Sequence, residues 1–233
     1  MTMQHELGQL AARRIDGLPV FCGAAAPGLI EVAEWHVWSL IPSTPDQLRI
    51  EAWLEGFALN GASILHVGAG NSLFAKRFCG HGACVTGTTV AREEVAHGES
   101  LAIPGYRVLL HNKYSGADGR DWPRFDFIVD NNPSSFGCCL DHYMAMLRFY
   151  ADVLAPGGQV LVDRVGLGWS LSNAQSDARW GFAFEDLAAT AELVGLRAFA
   201  VSPTIIALAR ENPKKPSYIR QLMRKIVRRL KGG

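Results

Sequence analysis

From residue 62 onward, short apolar runs alternate with stretches of helical spacing. The runs are ILHV (64–67), ACVTGTTV (83–90), YRVLLH (106–111), FDFIVD (125–130), GQVLVDRV (158–165), LRAFAV (196–201) and TIIALAR (204–210). Helical spacing lies between them at about 72–79, 91–100, 137–154 and 184–194. Strands joined by crossover helices predict a doubly wound, mostly parallel α/β sheet of seven strands. Only Ser202 and Pro203 separate the last two runs, too few residues for a crossover, so these runs are expected to pair as an antiparallel hairpin.

Residues 1–60 read differently, as an N-terminal helical cap. In TPDQLRIEAWLEGFAL, Thr44 is a candidate N-cap and Pro45 suits the first helical position, while Ile50, Trp53, Leu54 and Phe57 share one face. That pattern predicts a helix over about 45–58. The preceding EWHVWSLIP is aromatic and apolar, suited to packing as core or to covering the opening of a site. At the other end ENPKKP breaks the strand pattern, and SYIRQLMRKIVRRLK sets Ile219, Leu222, Met223, Ile226, Val227 and Leu230 at intervals of three and four among Arg and Lys. The chain is therefore expected to divide into a cap (1–60), an α/β domain (61–211) and a linker with a basic amphipathic helix (212–233).

Charge adds one asymmetry. Residues 214–231 carry eight positive charges and no acid, so against a formal net charge of +1 the first 213 residues stand at about −7. An acidic body disfavours nucleic acid as a partner. The basic helix suits an anionic membrane surface, the inner face of the membrane being the expected place; packing on the acidic body or in a partner's groove are the alternatives. The five cysteines show neither a CxxC pair nor a Cys/His spacing suited to zinc, and are expected to be reduced thiols in a cytoplasmic protein with no metal. Asp16, Gly17, Pro19 and Pro27 disrupt the only stretch with the look of an export signal, and the longest uncharged segment, 56–75, is interrupted by Asn60, His66, Asn71 and glycines.

Chemistry is expected first at the end of the first strand. There Gly68-Ala69-Gly70 lets the backbone turn sharply and approach a ligand, with the amide end of the next helix facing the same space. A dinucleotide loop of the G-x-G-x-x-G kind would need a third glycine where this chain has Leu73, and a phosphate-gripping Lys-Ser/Thr pair is also missing. A nicotinamide-dependent reductase is thus the weaker reading.

Taken in order, the Gly-x-Gly turn, a second strand near residue 87, FDFIVDNNP, a long helix, LAPGGQVLV with its Pro156-Gly157-Gly158 turn, and a final hairpin resemble the class I S-adenosylmethionine-dependent methyltransferases over roughly residues 60–210. The resemblance implies a Rossmann-like methyltransferase fold, S-adenosyl-L-methionine as cofactor and methyl transfer at oxygen or nitrogen of a small-molecule or glycan acceptor. It implies that Gly68, Ala69 and Gly70 approach the methionine and ribose part of the cofactor, and that Asp130 and Asn131 lie beside the sulfonium and the substrate. Asn112, or Asp118 further along, would bond the adenine amino group. Two positions depart from the family: His66 stands where an acid usually precedes the glycines, and Thr89 where an acid usually grips both ribose hydroxyls. A threonine cannot offer the charge-assisted pair of a carboxylate. Weaker binding, substitution by a group such as Glu93, or loss of turnover all remain open. A non-catalytic binding or scaffold protein of this fold is therefore the competing class.

For a hydroxyl acceptor a base is needed, and His142 is the first candidate because it follows the fourth strand; His36 is the second. The segment Asn131-Asn132-Pro133-Ser134 is also similar to the Asn-Pro-Pro-Tyr loop of enzymes that methylate exocyclic nitrogens of adenine, without the second proline and the aromatic residue.

Overall fold

The computed structural model describes residues 21–23, 40–135, 137–167, 182–214 and 216. His36, the EWHVW stretch and the basic helix after residue 216 lie outside the described residues. Seven strands form one sheet in the order β3-β2-β1-β4-β5-β7-β6. The strands are β1 (Ser63–Val67), β2 (Cys84–Thr89), β3 (Tyr106–Leu110), β4 (Phe125–Val129), β5 (Leu154–Asp163), β6 (Arg197–Ala200) and β7 (Ile205–Ala209). The first five run parallel, and β7 lies antiparallel between β5 and β6. The helices are α1 (Pro45–Leu54), α2 (Leu73–Cys79), α3 (Arg92–Ser100), α4 (Leu140–Val153), α5 (Arg164–Leu167) and α6 (Phe184–Glu192). No helix among the described residues is long and apolar enough to cross a membrane.

Strand alternation divides the core into two layers. Ile64, Phe127, Val129 and Leu161 face α1 and α2, packing with Ile50, Trp53, Leu54, Phe74 and Phe78. Their neighbours Leu65, Ile128, Val160 and Val162 point the other way, onto Tyr143, Leu147, Tyr150 and Leu187 of α4 and α6. Because helices cover both faces, the central strands read as continuous apolar runs rather than as alternating ones.

Three boundaries differ from the sequence expectation. The predicted 45–58 helix ends at Leu54, where Glu55 donates its N–H back to Glu51 and the chain turns toward β1. The 137–154 helix begins only at Leu140, since Cys139 has extended geometry. The fifth strand starts at Leu154 instead of 158, and Pro156-Gly157-Gly158 forms an irregularity within it, between the Phe125–Leu154 and Phe127–Gln159 pairs. Gly157 holds φ at +71°, and a side chain on Gly158 would stand 2.8 Å from the Phe125 carbonyl oxygen. Glycine is thus required twice to bend one strand without breaking it.

The segment before β1 reaches the carboxyl ends of the central strands. Arg49 of α1 forms a two-point ion pair with Asp163, at 2.7 and 2.8 Å, and Asp163 is fully buried. One turn earlier Asp46 accepts a hydrogen bond from the Asn131 amide, just past β4. Helix α1 is therefore fastened to the edge where ligands of open α/β sheets bind.

Candidate active site at the carboxyl edge of the sheet

The loop after β1 turns through three left-handed residues, Gly68 (φ +82°), Gly70 (φ +52°) and Ser72 (φ +62°). Ser72 tolerates that backbone while its hydroxyl meets the Tyr106 hydroxyl at 2.9 Å. The amides of Gly68 and Ala69 both donate to the Thr88 carbonyl, at 2.9 and 2.8 Å, so they bind the loop to β2 rather than facing outward as an anion cradle. That geometry agrees with the lack of a third glycine in disfavouring a pyrophosphate. A Cβ on Gly68 would meet nothing within 4 Å, so the space against this turn is open.

Opposite the turn stands a carboxylate. Glu94 Oε2 accepts from the Gly70 amide at 3.0 Å and from the Thr89 hydroxyl at 2.5 Å, joining the end of β1, the end of β2 and the first turn of α3. Burial raises the Glu94 pKa above its ordinary value, against the opposing pull of these two bonds. Glu93, expected to compensate for Thr89, points to solvent; the acid is one residue further along. A rotation of about 100° around the helix decides between the two, a distinction that spacing along the chain does not carry.

His66, expected among the cofactor residues, is buried beneath the turn and stacks on Phe74 at 4.2 Å and 17°. Burial lowers its pKa to about 3. The ring is neutral in the fold and protonated at its ordinary value of 6.5 when unfolded. It therefore favours folding fully above pH 6.5, and this contribution is lost as pH falls toward 3. His66→Phe, which keeps the stack, is expected to flatten the acid limb. By urea unfolding, acidification from pH 7 to pH 5 should lower the stability of the wild type by about 2 kcal/mol more than that of the variant, at about 1.4 kcal/mol per pH unit below the unfolded value.

The second half of the site lies past β3 and β4. Asp130, which is buried, accepts from Lys113 Nζ at 3.1 Å on both oxygens and from the Tyr150 hydroxyl at 2.7 Å. Lys113 also donates to the Asn132 carbonyl at 2.6 Å, and the Tyr114 hydroxyl lies 2.6 and 2.8 Å from the carbonyls of Pro133 and Ser135. Burial lowers the Lys113 pKa and raises those of Tyr114 and Tyr150. Asn112 accepts from the Tyr114 amide and so shapes the turn that presents this clamp. Asn131 is buried beside it, and its Oδ1 has no protein partner. The backbone of α5 comes so close that a side chain on Gly166 would run into the Asn131 carbonyl oxygen.

The fold thus gathers Gly68, Ala69, Gly70 and Thr89 at one half of the edge, and Asn112, Asp130 and Asn131 at the other. Asp118 stays apart, exposed and paired with Arg120. His142 also stays apart: it is buried in the first turn of α4, with Nδ1 directed at the sulfurs of Cys22, Cys138 and Cys139. A cavity of about 420 Å³ lies at the opposite, amino end of the strands, against Ser63, Cys84, Tyr106 and Arg107, away from all these groups. Sequence reasoning missed Glu94, Lys113 and Tyr150, whose roles depend on partners supplied by other elements.

No family model matches the chain, and no curated protein matches it. Solved structures do. The CcbJ methyltransferase from Streptomyces caelestis is similar with a TM-score of 0.55 at 15% identity, over 74% of this chain and 94% of that one. An S-adenosylmethionine-dependent methyltransferase from Mesorhizobium loti has a TM-score of 0.53 at 12% identity, over 71% and 97%. The 1,6-didemethyltoxoflavin-N1-methyltransferase from Burkholderia thailandensis, with bound 1,6-didemethyltoxoflavin and S-adenosylhomocysteine, has a TM-score of 0.51 at 18% identity, over 70% and 75%. The fold is that of the class I S-adenosylmethionine-dependent methyltransferases, as the order of segments in the sequence implies.

Proposed function

We propose that the protein is an S-adenosylmethionine-dependent methyltransferase acting on a small-molecule acceptor. The observation that carries this reading is Glu94. Its carboxylate sits on the Gly70 amide and the Thr89 hydroxyl, at the end of β2, where the fold calls for an acid and the strand itself supplies none. Glu94 and Thr89 together would accept and orient the ribose hydroxyls. Gly68 and Gly70 leave the turn bare of side chains, and Asn131 Oδ1 offers a buried acceptor without a protein partner. These residues fit the group.

When bound, S-adenosylmethionine supplies a methyl group on a positively charged sulfur. The protein's own work is alignment of the acceptor and exclusion of water. Lys113, Tyr114 and Tyr150 hold the loop after β4 in one geometry, so that Asn131 and its neighbours present a fixed wall to the acceptor. The carboxylates of Asp130 and Asp163 are both engaged in ion pairs, with Lys113 and Arg49. An acceptor that needs no strong base suits this edge: an amine nitrogen, or an already acidic hydroxyl.

The same pairing favours the second reading, a non-catalytic binding protein of this fold. Calorimetry distinguishes them. S-adenosylmethionine and S-adenosylhomocysteine are both expected to bind, with NADH giving no heat in a parallel titration. No binding of either sulfur compound at millimolar concentration would defeat both readings, while binding without turnover on any amine or hydroxyl acceptor would leave the non-catalytic one.

A further inference from the structure

The cysteine and histidine side chains that the chain keeps far apart in sequence meet in the fold. The ligand atoms of Cys22, Cys138, Cys139 and His142 all lie within 4.8 Å of one another. His142 Nδ1 stands 3.0 Å from Cys139 Sγ, 3.1 Å from Cys138 Sγ and 3.4 Å from Cys22 Sγ, and the sulfurs of Cys138 and Cys139 are 4.0 Å apart. Cys138, Cys139 and His142 are buried, and Cys22 is partly exposed.

Hydrogen bonding to His142 accounts for only part of this convergence. A single imidazole nitrogen offers one lone pair or one proton, so it satisfies one thiol and not three. A shared cation satisfies all four groups at once. Tetrahedral zinc, with bonds of about 2.3 Å to sulfur and about 2.0 Å to nitrogen, sets sulfurs roughly 3.8 Å apart and sulfur from nitrogen roughly 3.5 Å. The three distances from His142 Nδ1 and the Cys138–Cys139 sulfur separation lie within about half an ångström of those values. Three thiolates and one imidazole are also the ligand set that borderline-soft divalent metals prefer over hard ones.

We propose that Cys22, Cys138, Cys139 and His142 form a closed Cys3His site for a zinc-type divalent cation. Four protein ligands leave no open position, so the site is structural rather than catalytic. Its chain geometry gives it a task. Cys22 is separated from His142 by 120 residues, and Cys138 and Cys139 directly precede α4, at the end of the segment that carries Asn131 to Ser135. The cation ties the N-terminal segment to the start of α4 and stiffens the acceptor side of the edge. In this role His142 is a metal ligand in place of the base expected from its position after the fourth strand. Only one side of the set is local, Cys138 and Cys139 with His142 a turn later; the remaining ligand, Cys22, lies 120 residues away, so no pair of ligands marks that side of the site in the chain.

The test uses the full chain, purified reduced and stripped with a chelator, and does not depend on methyl transfer. Reloaded with zinc alone, the protein is expected to retain one equivalent through gel filtration. With Co2+ it is expected to show tetrahedral d–d bands together with thiolate-to-cobalt charge transfer in the near ultraviolet. Cys22→Ser, at a partly exposed position where the fold tolerates change, should weaken zinc binding more than about 100-fold and shift the cobalt bands, a loss beyond that of a supporting hydrogen bond. Cys84→Ser, outside the cluster, should leave both unchanged. Failure of the reduced wild type to retain zinc overturns the proposal. So does a cobalt spectrum that is the same in Cys22→Ser and wild type, or a Cys138–Cys139 disulfide that persists under reducing conditions.

Discussion

Glu94→Gln is expected to weaken binding of S-adenosylmethionine and S-adenosylhomocysteine by about 10- to 100-fold while leaving the fold intact. The carboxylate is held by the Gly70 amide and the Thr89 hydroxyl. Both contacts survive on the amide oxygen of glutamine, so thermal stability should change little. What is lost is the charge. A hydrogen bond to a charged acceptor contributes about 1.5–3 kcal/mol, roughly twice that of a neutral one, and glutamine sets an NH2 donor where the carboxylate has its second acceptor oxygen. The pH dependence supplies a second readout. Burial raises the Glu94 pKa above its ordinary 4.5, so protonation, and with it loss of affinity, should set in at a higher pH than for an exposed carboxylate. Wild-type affinity should therefore fall on acidification while that of Glu94→Gln stays flat. Equal affinities of the two proteins at neutral pH would remove Glu94 from the site.

Lys113→Met should produce the largest loss of stability. Its ammonium bridges the Asp130 carboxylate and the Asn132 carbonyl; Asp130 is buried and the Lys113 side chain is only 12% exposed. Deleting the cation leaves Asp130 as an uncompensated buried charge, with only Tyr150 donating to it. Removing one partner of a buried pair costs about 3–5 kcal/mol, far more than the pair itself contributes over an apolar replacement. The double variant Lys113→Met/Asp130→Asn should accordingly recover much of the loss, since asparagine still accepts from Tyr150. Urea unfolding of the four proteins measures the coupling. A loss below about 1 kcal/mol for Lys113→Met would mean that water reaches Asp130. Methionine at 113 also removes the bond to the Asn132 carbonyl, so acceptor-side binding should weaken even in the stabilised double variant.

The sheet was legible because each strand is a short apolar run bounded by Gly, Pro or Asn, and because a two-residue connection admits only a hairpin. Boundaries were less so. Nothing in LAPGGQVLV distinguishes a turn before a strand from a bend within one; the carbonyl of Phe125, crowding Gly158 from the neighbouring strand, makes it the latter. In the site, the Gly68-Ala69-Gly70 turn and the position of Thr89 could be read directly, since both follow from the end of a strand. Glu94 could not, because whether residue 93 or 94 faces Thr89 depends on the phase of α3. Lys113 and Asp130 are 17 residues apart and meet only when β3 and β4 take their places on either side of β2 and β1. His66 illustrates the opposite error: a polar residue at a ligand-binding position in the chain is, in space, part of the aromatic floor beneath it.

The place of β7 bears on how the molecule is made. Every residue of this strand is buried, and it separates β5 from β6, which precedes it in the chain. During synthesis β6 emerges with no neighbour to pair with, and β5 presents an open edge for the whole time that residues 164–204 are being added. Unpaired edges of this kind are where partly made chains associate with one another. The sheet closes only when Ile205–Ala209 clears the ribosome, so a chain that stops before this strand would leave two strand edges exposed rather than one element missing.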